Sequence, residues 1–165
     1  MAHHNVERGV VNTVSPTTLL LRFPSAGVEA RARFLDDEAP SLCAALRSRL
    51  PVAGLAHHAI YSGSEVALDL APPLLLPPSN QTLRALPGDV AFYCLEGGLW
   101  QGLRQAISEV LVVYDRDGVP SMPWGPVPIC LFARIEHGLA EFAEVCRRMR
   151  SAPGMRLELE VLSGG

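Results

Sequence analysis

The stretch LAHHAIYSGSEV, residues 55–66, sets two adjacent histidines ahead of a tyrosine, a Ser-Gly turn and a glutamate. The chain holds five histidines, so imidazole chemistry concentrates here. An imidazole beside a carboxylate can serve as a general acid or base, and either group can ligate a metal. Successive side chains of a strand point to opposite faces, however, so His57 and His58 cannot chelate one ion together. A four-residue loop around Ser62-Gly63 places His58 opposite Ala67, with Glu65 and Asp69 as diagonal neighbours on the same face. His57 then joins Ala59, Tyr61, Val66 and Leu68 on the other face and reads as partly buried wall. An odd-length loop would exchange the two faces. On the four-residue register, His58 and Glu65 are the candidate acid–base pair.

Other chemistries find less support. A His58, Glu65, Asp69 set lacks the spacing of a recognised metal motif, and neither metal nor cofactor is expected. Cys43, Cys94, Cys130 and Cys146 lie far apart with no Cys-x-x-Cys, which disfavours zinc ribbons and dithiol redox sites. All 14 basic residues are arginine, so lysine nucleophiles and Schiff bases are excluded. No Gly-x-Ser-x-Gly, P-loop or Gly-x-Gly-x-x-Gly pattern occurs, and Ser62 and Ser64 are accounted for by the turn. Trp100 and Trp124 stand in Gly/Pro-rich loops, and Tyr61, Tyr93 and Tyr114 near strand ends, where aromatics line pockets or cover a barrel end. The groove expected from these signals is lined by His58, Tyr61, Glu65, Tyr114 and Trp124.

The elements that must position such a site follow from periodicity. The chain has 165 residues, 48% hydrophobic and 19% charged, enough for one domain with a sizeable core. Segments 18–23 and 28–34 flank Pro-Ser-Ala-Gly as a hairpin, and VEARARF alternates strictly between apolar and charged positions. DDEAPSLCAALRSRL reads as a helix entered through Pro40, with Leu42, Ala45, Leu46 and Leu50 on one stripe. Strands follow at 56–61 and 65–70, then a prolyl loop at 72–78, a strand in LPGDVAFYC and a buried strand at 109–115. A loop with four prolines leads into the strand ICLFARIE. LAEFAEVCRRMR then forms a helix with Leu139, Phe142, Val145, Cys146 and Met149 inward, closing by Gly154, and MRLELEV ends the chain as a strand. About eight mostly antiparallel strands and two helices, without regular βαβ alternation, suit a closed barrel capped at its ends.

The order of these segments resembles the cyclophilins, in which a strand, a Pro-initiated helix and a histidine-bearing strand follow one another. It is closer to a family of cyclophilin-like bacterial proteins of unknown function. The likeness is carried by Glu38-Ala39-Pro40, His58-Ala59-x-Tyr61-Ser62-Gly63, Leu86-Pro87-Gly88-Asp89, Glu109 to Tyr114, and Gly125-Pro126 through Phe132-Ala133-Arg134-Ile135. It spans residues 18–162, behind an extension over residues 1–17. The resemblance implies a mainly β fold, a closed eight-stranded barrel capped by two helices. It also locates the essential arginine of the prolyl isomerases, which aligns with His58 or Ile60. Neither is arginine, and a neutral imidazole offers one donor where a guanidinium offers a fixed, charged fork.

Three readings of function result. The first is a binding protein taking a small polar ligand or peptide segment in the groove, without efficient prolyl isomerase activity. The second is an enzyme, either a peptidyl-prolyl isomerase or a small-molecule hydrolase or isomerase using His58 and Glu65. The third is a subunit acting through homo-oligomerisation by its exposed aromatics and prolyl loops. A net charge of −3 with no arginine-rich run argues against nucleic acid. The N-terminus has no long apolar run behind a basic start, and LAPPLLLPP is too short to span a bilayer, so a cytoplasmic protein without membrane contact is expected.

Overall fold

The computed structural model describes residues 17–100 and 102–163; the expected extension, except Thr17, lies outside them. The alternating segments form strands where their periodicity places them. β1 (Thr18–Phe23) and β2 (Val28–Phe34) pair antiparallel from Thr18↔Arg33 to Phe23↔Val28. Ala30, Ala32 and Phe34 face the core, and Glu29, Arg31 and Arg33 face solvent. α1 (Pro40–Arg49) begins on a proline, whose missing N–H belongs to the unpaired first turn, and buries Leu42, Cys43 and Leu46. The chain continues through β3 (Val52–His58), β4 (Glu65–Asp69), β5 (Gln81–Thr82), β6 (Asp89–Leu95), β7 (Ile107–Val113), the short hairpin β8 (Ser121–Met122) and β9 (Gly125–Pro126), β10 (Ile129–His137), α2 (Leu139–Arg148) and β11 (Met155–Leu162).

Eight strands close into a ring in the order β1-β2-β10-β6-β7-β4-β3-β11 and back to β1, every neighbouring pair antiparallel. Closure removes the sheet edges, and register shifts along β10 at Leu131/Ala133 and Ile135/His137 supply local bending. The interior is filled by Leu19, Leu21, Phe92, Val110, Val112, Phe132 and Leu157 among others, all nearly inaccessible. One end is plugged by α1, whose Leu46 meets Leu19, Val110 and Phe132, while Cys43 Sγ donates to the Phe132 carbonyl at 3.3 Å. The other is plugged by α2, whose Phe142 ring lies 4.8 Å from Phe23. The expected barrel with two capping helices is therefore the observed one.

The differences are local. β5 and the β8–β9 hairpin arise in segments whose prolines read as loop. β3 runs from Val52 to His58 rather than over 56–61, so residues 59–64 form the connection to β4. That connection bonds mainly to residues 114–121. Val119 N donates to Ser62 O at 2.7 Å, Tyr114 N to Ser64 O at 3.0 Å, and Ser121 N to Ser62 Oγ at 2.9 Å. Gly63, at φ +72°, lies so close to Asp117 that an added Cβ would stand 2.2 Å from its carbonyl oxygen.

Gly27 also has a positive φ, +63°, but open space around it. Gly27→Ala should therefore cost only the left-handed backbone penalty, about 1–2 kcal/mol. Gly63→Ala adds a backbone collision and should cost on the order of 3 kcal/mol or more in urea unfolding. Equal costs would contradict the tight approach of the two loops.

Candidate functional site

The β3–β4 register decides which side chains meet. His57 pairs with Ala67 and His58 with Val66, one residue away from the register of a four-residue loop. Seven residues, 59–65, separate the paired His58 and Val66, an odd count, and the anchoring of residues 59–64 on the 114–121 loop, not a local turn, sets this parity. The expected grouping is thereby exchanged. His57 shares the outer face with Glu65 and Asp69, whereas His58 is separated from Glu65.

His58 belongs to a hydrogen-bonded chain at the α2 end of the barrel. Its Nδ1 lies 2.9 Å from Ala59 O and its Nε2 2.8 Å from the Tyr114 hydroxyl. Arg150 Nε donates to the same hydroxyl at 3.0 Å. Every member is satisfied with Nδ1–H donating to the carbonyl and Nε2 accepting from Tyr114. Burial, assisted by Arg150, holds the imidazole below its ordinary pKa, so the neutral ring this chain requires is favoured. The network ties the residue following α2 to β3 and β7. Arg150 also reaches Ser64 Oγ, at 2.5 Å, and Asp117, at 3.1 Å, and Ser64 in turn donates to Asp117. His58 and Tyr114, expected in the groove, are thus brought together as structural partners.

On the outer face, three adjacent strands assemble a different group. β3 presents His57, β4 presents Glu65 and Asp69 either side of Ala67, and β7 presents Glu109 opposite Asp69. Ligand atoms of His57, Asp69 and Glu109 all lie within 4.8 Å of one another. His57, Glu65 and Glu109 line a hollow of about 160 Å³ with Tyr61, and Ser121 and Met122 border it. Glu65 is 4% exposed, and its Oε2 has no hydrogen-bond partner. Burial, reinforced by Glu109, pushes Glu65 up to about 8. Burial and the neighbouring Asp69 push Glu109 up to about 7. Glu65, Asp69 and Glu109 form no ion pair among the described residues. Asp89 shows the contrast: it is as buried as Glu65, yet it accepts from Arg134 Nε and Leu86 N, each at 2.8 Å. The crowded carboxyls can hold a proton near neutral pH or gather a cation. Glu109 escaped the sequence reading because it opens the apolar run EVLVV; a lone carboxylate in such a run was the available signal.

A larger groove, of about 760 Å³, adjoins β6. Its walls include Leu75, Tyr93, Leu99, Trp124 and Val127, and Trp124 lies 5.1 Å from Trp100 between ring centroids. Trp124 therefore lines a groove as expected, but Tyr61 and Glu65 line the acidic hollow. Tyr93 faces Glu109 across the β6–β7 ladder, and burial together with that carboxylate raises its phenol pKa.

The folded-state pKa of Glu65 is raised from 4.5 to about 8. The stability attached to its neutral form is complete below about 4.5 and is lost as pH rises through about 8. Glu65→Gln, which keeps the shape without the charge, should be more stable than the parent at pH 9 by on the order of 1–3 kcal/mol. That advantage should vanish at pH 4, as thermal melts at the two pH values would show.

Comparison with known proteins supports the fold. Residues 21–160 match a family described as "Protein of unknown function (DUF3830)". No curated protein matches the chain. Among solved structures, McbB in complex with tryptophan superposes with a TM-score of 0.63 at 15% identity, over 86% of this chain and 44% of McbB. The chain thus spans less than half the length of that protein. The hypothetical protein AF2241 from Archaeoglobus fulgidus gives 0.50 at 20% identity, over 94% of this chain and 98% of its own. The Mimivirus cyclophilin gives 0.52 at 9% identity, over 99% and 97%. The barrel is cyclophilin-like, and the chain belongs to DUF3830, a protein family of unknown function.

Proposed function

We propose that this protein binds a small amphipathic molecule in the groove beside β6, the apolar part against Trp124 and Tyr93 and the polar end neutral or cationic. The observation that carries this reading is the wall itself. Leu75, Leu99 and Trp124 are 46%, 66% and 46% exposed while lining one concavity, and concave apolar surface beside a few polar groups is the usual form of a ligand site. Among the described residues no basic side chain lines the groove, and Glu96 does. Charge therefore disfavours an anionic ligand. McbB, a barrel of the same fold, holds tryptophan, which supports an aromatic-sized occupant. Four free thiols, at Cys43, Cys94, Cys130 and Cys146, support a reducing, cytoplasmic setting. Among the described residues no helix is long and apolar enough to cross a membrane.

Prolyl isomerisation has no guanidinium to serve it in this reading. His58 is engaged in the Tyr114 chain, Ile60 is 85% exposed, and among the described residues no arginine lines the groove. A proline-peptide assay should give a rate equal to the uncatalysed one; a rate well above it would restore the enzyme reading.

Trp124 lines the groove and the chain's other tryptophan, Trp100, packs beside it, so intrinsic fluorescence reports the groove's occupancy. In a thermal-shift screen of aromatic amines, amino-acid amides and short peptides, a small-molecule binder present at 100 times its Kd should stabilise by about 2.7 kcal/mol. Trp124→Ala should weaken that binder by roughly tenfold or more. Stabilisation by peptides alone, or binding indifferent to Trp124→Ala, would overturn the reading.

A further inference from the structure

The outer-face carboxyl cluster is separate from the groove and unlike any other polar group described in the molecule. Most carboxylates on the barrel surface stand near a guanidinium, as Glu29, Glu158 and Glu160 do around Arg22. The buried Asp89 has Arg134. Glu65, Asp69 and Glu109 share one face of three adjacent strands without an ion-pair partner, beside the imidazole of His57. Glu65 lines the hollow with His57 and Glu109, and its buried Oε2 has no hydrogen-bond partner among the described residues. An unpaired buried carboxylate oxygen is destabilising, and a positive charge placed between these groups would offset that cost.

We propose that His57, Asp69 and Glu109 bind one divalent transition-metal ion on the outer face of β3, β4 and β7, with the buried carboxyl of Glu65 on the same face beside them. The spacing suits this. Donors about 2.1 Å from a common ion lie roughly 3–4.3 Å apart, so atoms already within 4.8 Å need only small rotamer adjustments. The donor set also narrows the ion. One imidazole with carboxylates suits Zn²⁺ or Mn²⁺, whereas an all-oxygen shell would suit Ca²⁺. Strands β3, β4 and β7 hold all three side chains in fixed register, so the site is largely preformed. The adjacent histidines do not cooperate in the site; only His57 faces it.

The test is calorimetric titration of the chelator-stripped full chain with ZnCl₂ and separately with MnCl₂. His3→Ala and His4→Ala are introduced throughout, so that the N-terminal histidine pair offers no second site. One ion should bind per chain, with a rise in melting temperature that EDTA reverses. His57→Ala and Asp69→Asn, both at exposed positions outside the packed core, should each weaken binding by about tenfold or more. His137→Ala, an exposed histidine on β10, should leave the affinity unchanged. Absence of saturable binding for both ions, or equal affinity in the parent, His57→Ala and Asp69→Asn proteins, would overturn the assignment. Because the probe is the metal alone and Trp124 is untouched, failure here leaves the groove reading standing, and the converse holds.

Discussion

The hydrogen bonds that anchor residues 59–64 on residues 114–121 set the arrangement of everything chemical in this protein. A closed barrel gives each strand residue only two destinations, the packed interior or the outer face. Between His58 and Glu65 the chain has six residues to spend, and Val119 N, Tyr114 N and Ser121 N fix how they are spent. With Ser62 and Ser64 held, His57 must stand against Ala67 and His58 against Val66. A slip of one residue would bring His58 to the carboxylates and set His57 inside the barrel. Gly63 is part of the same constraint, because only a residue without a Cβ lets the two loops approach this closely.

This explains which features could be read from the sequence. Strict alternation in VEARARF and MRLELEV identified the strands β2 and β11, since period two is a local property. The stripe through Phe142, Val145, Cys146 and Met149 identified α2 and its buried face for the same reason. Eight strands without βαβ alternation pointed to closure, because an open antiparallel sheet of that size leaves edges exposed. Register was not legible. Ser-Gly looks like a tight turn, and nothing within residues 55–70 reveals that a distant loop captures the connection. The candidate site inherited that limit: Glu65 and Asp69 were identified, the wrong histidine was set beside them, and Glu109 was hidden at the start of an apolar strand. Trp124 was found by composition alone, as a large aromatic in a Gly/Pro-rich loop.

The two histidines illustrate how local energetics separates structural from chemical roles. His58 sits among donors and acceptors that complete one another, from Arg150 through Tyr114 to the carbonyl of Ala59. Such a network rigidifies the seam where α2 closes the barrel, and it leaves no group free for a ligand. One residue away, the outer face carries three carboxyls without an ion-pair partner and one buried oxygen without a donor. A fold that supplies Arg134 to Asp89 has the means to pair a buried carboxylate. Leaving Glu65 unpaired sacrifices stability, and sites where a sequence departs from its own rules of satisfaction are where function concentrates.

The acidic hollow and the apolar groove are also neighbours along the same sheet. Tyr93 joins them, lining the groove from β6 while its phenol feels Glu109 on β7. The β8–β9 hairpin borders both, since Met122 lines the hollow and Trp124, two residues on, lines the groove. An amphipathic molecule seated against Trp124 would therefore have its polar end directed along β6 toward the Tyr93–Glu109 pair. Under the groove proposal, that end meets the phenol of Tyr93. The outer face of β4, β7 and β6 then works as a single surface, with shape selectivity from the groove and charge from the hollow. The barrel interior contributes none of this chemistry. Its part is to hold the strand register, on which the spacing of the outer side chains depends.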